Sequence, residues 1–125
     1  MFNRPDSAVS RCSDDFMPGN REWFTKNILQ CAYNGILQGQ FYVNDWDMWW
    51  TDDGQAKKTS LCRAISGGPV YVSDKLGRTN PEILRPVCLP DGRLLRPDES
   101  ATPTADCLTS DPRTSKKLFK LRNKA

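Results

Sequence analysis

Apolar and polar positions alternate between two periods along the first ninety residues, and the switches fall at turn residues. Ser7 to Cys12 (SAVSRC) is a short β-prone run that ends in the polar cluster Ser13-Asp14-Asp15, and Pro18-Gly19-Asn20 then breaks the chain. From Arg21 to Gln38 the residues Trp23, Phe24, Ile28, Leu29, Ala32, Ile36 and Leu37 recur at helical spacing, which predicts an amphipathic helix closed by Gly39. Phe41-Tyr42-Val43 reads as a second strand, again ending in acids, Asn44-Asp45-Trp46-Asp47. Gln55 to Ser66 predicts a helix with Ala56, Leu61, Ala64 and Ile65 on one face, stopped by Gly67-Gly68. Pro69 to Val72 (PVYV) is the third strand and ends in Ser73-Asp74. Asn80 is placed to cap a short helix with Pro81 at its first position and Ile83, Leu84 and Val87 inside.

Three strand–loop–helix units in succession predict parallel strands and an α/β fold. After Cys88 the pattern changes. Pro90-Asp91-Gly92 is a turn, Arg93 to Arg96 is a candidate strand, Pro97 to Pro103 is loop-like, and Leu118 to Leu121 (LFKL) could open another strand.

Composition narrows the function classes. The chain has 125 residues, 38% apolar and 26% charged, enough for one core and too apolar for a disordered segment. No run of eighteen apolar residues exists, so no transmembrane helix and no membrane partner is expected. Met1 to Asp6 hold no apolar stretch of the kind a secretory leader needs. The net charge of +3 comes mostly from Lys116, Lys117, Lys120, Arg122 and Lys124, a solvated tail and no nucleic-acid surface. Five cysteines at long intervals, without a C-x-x-C pair, suggest reduced thiols and a cytoplasmic protein. There is no histidine, which removes His-based triads and most catalytic zinc sites, so acid/base chemistry falls to carboxylates.

Each predicted strand delivers carboxylates at its C-terminal end: Asp14 and Asp15, then Asp45 and Asp47, then Asp74. That end carries the active sites of parallel α/β folds. Taken singly, each Asp also suits a turn or a helix cap. Trp46, Trp49 and Trp50 are interleaved with Asp45, Asp47, Asp52 and Asp53. Indole faces beside carboxylates suit a sugar, whose C–H face stacks while its hydroxyls donate to the acids. At least one of these tryptophans is expected in the core. The run D-W-D-M-W-W-T-D-D lacks the alternating ligands and central glycine of a calcium loop, so no metal and no cofactor is expected. Gly67-Gly68 lacks the G-K-[ST] ending of a phosphate loop.

The segments R-C-S-D-D-F-M-P (Arg11 to Pro18), C-A-Y-N (Cys31 to Asn34), N-D-W-D-M (Asn44 to Met48) and R-A-I-S-G-G-P-V-Y-V-S-D (Arg63 to Asp74) together resemble raffinose synthases. They are equally similar to the seed-imbibition-type α-galactosidases of glycoside hydrolase family 36. L-P-D-G-R-L-L-R-P (Leu89 to Pro97) and T-P-T-A-D-C-L (Thr102 to Leu108) extend the likeness to about Leu121.

The resemblance implies a (β/α)8 barrel and a retaining mechanism on α-galactosides, here raffinose-family oligosaccharides. Residues 1–88 would be the last three strand–helix units of the barrel, its C-terminal portion. Residues 89–125 would be a post-barrel loop and β segment with a mobile tail. The R-C-S-D-D segment matches the acid/base motif, which points to Asp14 or, one position away, Asp15. Arg11 would orient the acid or a sugar hydroxyl, and Asp45, Trp46, Asp47 and Asp74 would line the sugar. A complete barrel takes about 250 residues, and the strand bearing the nucleophile is not in this sequence. The expected function is therefore that of an incomplete glycosidase, a hydrolase that supplies the acid/base carboxylate alone. The alternatives are part of a galactosyltransferase, or a non-catalytic carbohydrate-binding module. A separately encoded N-terminal barrel half is a further conceivable partner.

Overall fold

A computed structural model describes residues 8–124. Its order is β1 (Val9–Arg11), α1 (Arg21–Gln38), β2 (Val43–Asp45), α2 (Ala56–Ser66), α3 (Pro81–Leu84) with a 3-10 turn at Arg85–Val87, β3 (Thr102–Pro103) and β4 (Leu121–Arg122). β1 and β2 pair in parallel, Val9 with Val43 and Arg11 with Asp45, so the 18-residue α1 is the crossover between them. The expected strand from Ser7 is described only from Val9 to Arg11, since Ser7 lies outside the described residues.

α1 starts where its cap allows. The Asn20 side chain accepts from the Glu22 and Trp23 amides and satisfies two of the orphaned first-turn donors. Its buried stripe is Asn27, Ile28, Cys31, Ala32 and Gly35. Ile36 and Leu37, expected on the core face, are exposed.

α2 departs further from expectation. Its buried residues are Ala56, Thr59, Ser60, Arg63 and Ser66, a face of small polar groups and one arginine, whereas Leu61 is exposed. The helical period is right and the face is not. Small side chains at this spacing let the helix approach its neighbours closely, and a rule that counts only apolar positions passes over them.

The third segment, Pro69 to Val72, forms one parallel bridge, Val72 with Trp49, in place of a ladder beside β2. Pro69 has no N–H to give. Just before it, the backbone at Gly68 lies against the Asn44 carbonyl of β2, where an added Cβ would stand 1.9 Å from that oxygen. Gly67, at φ 76°, ends α2 in the left-handed conformation and is pressed against the Glu99 carbonyl in the same way. The double glycine is thus a packing device.

Two clusters make up the core. Cys12, Ile28, Cys31, Trp46 and Ala101 form one, with Phe24, Cys62, Ile65, Phe119 and Leu121 against it. Phe16, Trp49 and Ala56 form the other, flanked by Val72, Ile83 and Leu84. Ala101, Phe119 and Leu121 belong to the first cluster, so residues beyond 89 pack into the same core as β1 and α1. The tail expected to be mobile is tied down. β4 pairs antiparallel with β3, and the Asn123 amide donates to the carbonyls of Ile65 and Glu99. Phe119 also stacks on Tyr33. Among the described residues no helix is long and apolar enough to cross a membrane.

Candidate functional site

The parallel pairing of Arg11 with Asp45 puts the ends of β1 and β2 side by side, and the loops that leave them meet through Arg11. Its guanidinium donates to Asp47 Oδ2 at 2.6 Å, to Asp15 Oδ1 at 3.3 Å and to the Asp14 carbonyl at 3.3 Å. The shortest of these is to Asp47, so the cation is held mainly there and reaches Asp15 as a secondary partner.

Asp47 is buried and every side of its carboxylate is engaged. Oδ2 also accepts the Phe16 amide at 2.6 Å, and Oδ1 accepts the Met48 amide at 2.8 Å. Its φ is 74°, the left-handed region that Asp visits more readily than most residues. Asp45 supports it from below, since Asp45 Oδ1 accepts the Asp47 amide at 2.8 Å while Oδ2 accepts the Tyr71 hydroxyl at 2.9 Å.

Beneath this layer Arg63 is fully buried. Its Nε donates to the Asp47 carbonyl at 3.4 Å and its Nη2 to Asn27 Oδ1 at 3.3 Å. Asn27 in turn donates to Ser13 Oγ and to the Asp14 carbonyl. A buried cation on α2 and an amide on α1 therefore hold the Ser13–Asp14 turn from behind. Burial lowers the Arg63 pKa, and the nearby cysteines and Asp47 oppose that.

The two candidate acids differ in environment. Asp14 forms an ion pair with Lys26 at 2.6 Å, accepts from Gln30 Nε2 at 3.2 Å, and its amide donates to Gln30 Oε1 at 3.0 Å. Lys26 and Gln30 hold its carboxyl below the usual carboxylate range. Asp15 has a side chain 89% exposed, and among the described residues it pairs with Arg11.

Of the residues expected to line a sugar, Arg11 reaches Asp15, and Asp45 lies opposite Arg11 in the strand register. Trp46 takes no place there, because it is fully buried in the first core cluster. A strand residue adjacent to Asp45 points to the opposite face, and here that face is the core. Asp47 is a structural clasp whose lone pairs are already used. Asp74 is likewise engaged, since its two oxygens accept the Thr51 amide at 2.6 Å and the Thr51 hydroxyl at 2.7 Å. The Thr51 hydroxyl then accepts the Asn80 amide at 2.7 Å. Asp74 pins the loop after Trp50 and stands apart from the Arg11 cluster. Sequence reading passed over Arg63, Asn27 and Tyr71. The clue to Arg63 and Asn27 was polar residues at core spacing on a helix, Asn27 with Ile28 and Cys31, and Arg63 with Ala56, Thr59 and Ser60.

Comparison with known proteins adds an independent line. A family profile described as raffinose synthase or seed imbibition protein Sip1 matches residues 1–124. The chain is 45% identical over 124 residues to a probable galactinol–sucrose galactosyltransferase of Arabidopsis thaliana, covering 98% of this chain and 17% of that protein. It is 39% identical over 125 residues to a galactinol–sucrose galactosyltransferase of Pisum sativum, covering 93% of this chain and 16% of that protein. Identity is 34% over 113 residues to a stachyose synthase of Pisum sativum, covering 84% of this chain and 13% of that protein. The chain thus spans about a sixth of the length of these two galactosyltransferases.

Proposed function

The chain belongs to the raffinose synthase or seed imbibition protein Sip1 family, and from that premise we propose that it supplies the acid/base strand ends of an enzyme that transfers a galactosyl group between sugars. The relatives named above are galactosyltransferases and a stachyose synthase, which favours transfer over the hydrolysis expected from the resemblance. In this reading the β1–α1–β2 repeat and the segment that follows are the closing units of a (β/α)8 barrel. The carboxylate nucleophile is contributed from outside these residues.

The observation that carries the proposal is the asymmetry between Asp14 and Asp15. A general acid needs a carboxyl that is open to the glycosidic oxygen and is not held in its ionised form by a neighbouring cation. Lys26 holds Asp14 in that form. Asp15 projects freely from the end of β1 and is oriented by an arginine whose charge is mostly committed to Asp47. Asp15, not Asp14, is therefore the acid/base residue of this proposal. It would donate its proton to the glycosidic oxygen as the bond from that oxygen to the galactosyl carbon breaks. It would then take the proton of the acceptor hydroxyl as the new bond forms. A retaining mechanism places the nucleophile about 5–5.5 Å away.

The test is segment exchange. Residues 1–124 replace the matching stretch of the Pisum sativum galactinol–sucrose galactosyltransferase, and galactosyl release from galactinol is followed with sucrose or water as acceptor. Transfer to sucrose above hydrolysis supports the reading. A folded hybrid that only hydrolyses returns the protein to the hydrolase class, and a folded hybrid that does neither removes the catalytic reading.

A further inference from the structure

Resting on the galactosyl-transfer reading, we infer that Trp50 and Tyr71 form a platform on which a pyranose ring stacks, next to Asp45 at the strand ends. The parallel bridge between Trp49 and Val72 fixes which side chains share a face. Trp49 and Val72 point into the second core cluster. The residues that flank them, Met48 and Trp50 on one segment, Tyr71 and Ser73 on the other, must then point to the opposite side.

Their contacts agree with this. Trp50 Nε1 donates to Ser73 Oγ at 3.1 Å, the Ser73 hydroxyl touches the Met48 thioether, and the Tyr71 hydroxyl donates to Asp45 Oδ2. Trp50 remains 38% exposed and Tyr71 40% exposed. Their polar tips are satisfied by the protein, and each ring is held at a fixed angle with surface left open. Rings fixed in this way lose little conformational freedom when a ligand lands on them.

The ligand class follows from the chemistry. A pyranose has an apolar C–H face that suits an indole or phenol ring, and hydroxyls at its rim that can donate to the second lone pair of the Asp45 oxygen that already accepts from Tyr71. Trp46, buried in the core, cannot take this role, whereas Trp50 from the same cluster of tryptophans can. The ring could belong to the galactosyl donor or to the acceptor sugar, and the test separates the two.

The full 125-residue chain, labelled with nitrogen-15, is titrated with methyl α-galactoside in one arm and with sucrose in the other. The side-chain N–H signals of the four tryptophans are followed together with backbone signals of Arg11 and Asp15. Movement of the Trp50 signal, identified by its loss in Trp50→Phe, with Trp23 unmoved, is the expected result. The arm in which it moves names the sugar. Trp50→Ala should weaken that titration by about tenfold, the loss of one stacked ring. Ser73→Ala, which keeps the ring and frees its angle, should weaken it less. If Arg11 and Asp15 respond while Trp50 does not, the platform is refuted and the galactoside site stands. If no signal moves with either sugar, both are refuted. Equal movement of Trp50 and Trp23 indicates non-specific contact and also refutes the platform.

Discussion

Replacing Asp47 by alanine removes the acceptor on which three donors converge, and its cost can be assembled from the contacts. The buried Phe16 amide loses its partner, which costs about 1–3 kcal/mol. Alanine at φ 74° adds about 1–2 kcal/mol relative to a residue that tolerates the left-handed region. Arg11 loses its 2.6 Å ion pair, but its side chain is 37% exposed and rehydrates, so that contributes only about 0–1 kcal/mol. Together the loss is about 2–6 kcal/mol, a large share of the roughly 5–15 kcal/mol that holds a domain together. For a chain of this size it corresponds to a melting temperature lower by roughly 8–23 °C. The assay is a thermal melt followed by near-ultraviolet circular dichroism of the buried tryptophans. Asp47→Gly separates the terms, since it loses the same hydrogen bonds as Asp47→Ala but removes the backbone strain; it should melt above Asp47→Ala by the equivalent of about 1–2 kcal/mol. An Asp47→Ala protein that melts within about 2 °C of the parent would show that Asp47 is no clasp, and the description of the Arg11 cluster would fall with it.

Three further outcomes follow from the same geometry. Lys26→Ala should raise the Asp14 pKa towards 3.8, measured by carbon-13 titration of the carboxyl; because the folded value is depressed, the pairing stabilises the protein above that pH and the benefit fades as pH falls through the lower folded value. Part burial and the hydrogen bond to Asp45 push the Tyr71 phenol up to about 12, so its stabilising contribution is complete below pH 10 and is lost as pH rises through about 12. Asp45→Asn should bring that ionisation back towards 10, read from phenolate absorbance, and an unchanged midpoint would remove the Tyr71–Asp45 contact. Gly67→Ala places a Cβ 1.9 Å from the Glu99 carbonyl carbon's oxygen at a positive φ, and should leave no cooperative melt; a melt like the parent's would contradict the packing of residues 99–101 against the end of α2.

Local signals made much of this fold legible. Asn20 and Asn80 cap helices where their sequence positions predicted, and the parallel pairing of β1 with β2 follows from the alternation of strand and helix. The faces were harder to read. Leu61 looked buried and is exposed, whereas Arg63, Thr59 and Ser60 carry the packing of α2, because an arginine in a core is stable only when distant residues supply its acceptors. Those acceptors, the Asp47 carbonyl and Asn27, lie 16 and 36 positions away and no local pattern announces them. Of the candidate site, Asp15 and Asp45 were legible as acids at strand ends, and Arg11 came only from the family resemblance. The division of labour among the acids was not legible, since a buried clasp such as Asp47 and an exposed carboxylate such as Asp15 read alike until their partners are known.

The sharpest test of the proposed chemistry compares Asp14→Ala and Asp15→Ala in the segment-exchanged galactosyltransferase, with an aryl galactoside whose leaving group needs no protonation. Azide is added as a nucleophile that needs no general base. The account predicts that Asp15→Ala stalls after release of the aryl group and is rescued by azide with formation of galactosyl azide, while Asp14→Ala keeps the pH profile of the parent and ignores azide. Rescue of Asp14→Ala, with Asp15→Ala behaving like the parent, would contradict it and hand the acid/base role to Asp14.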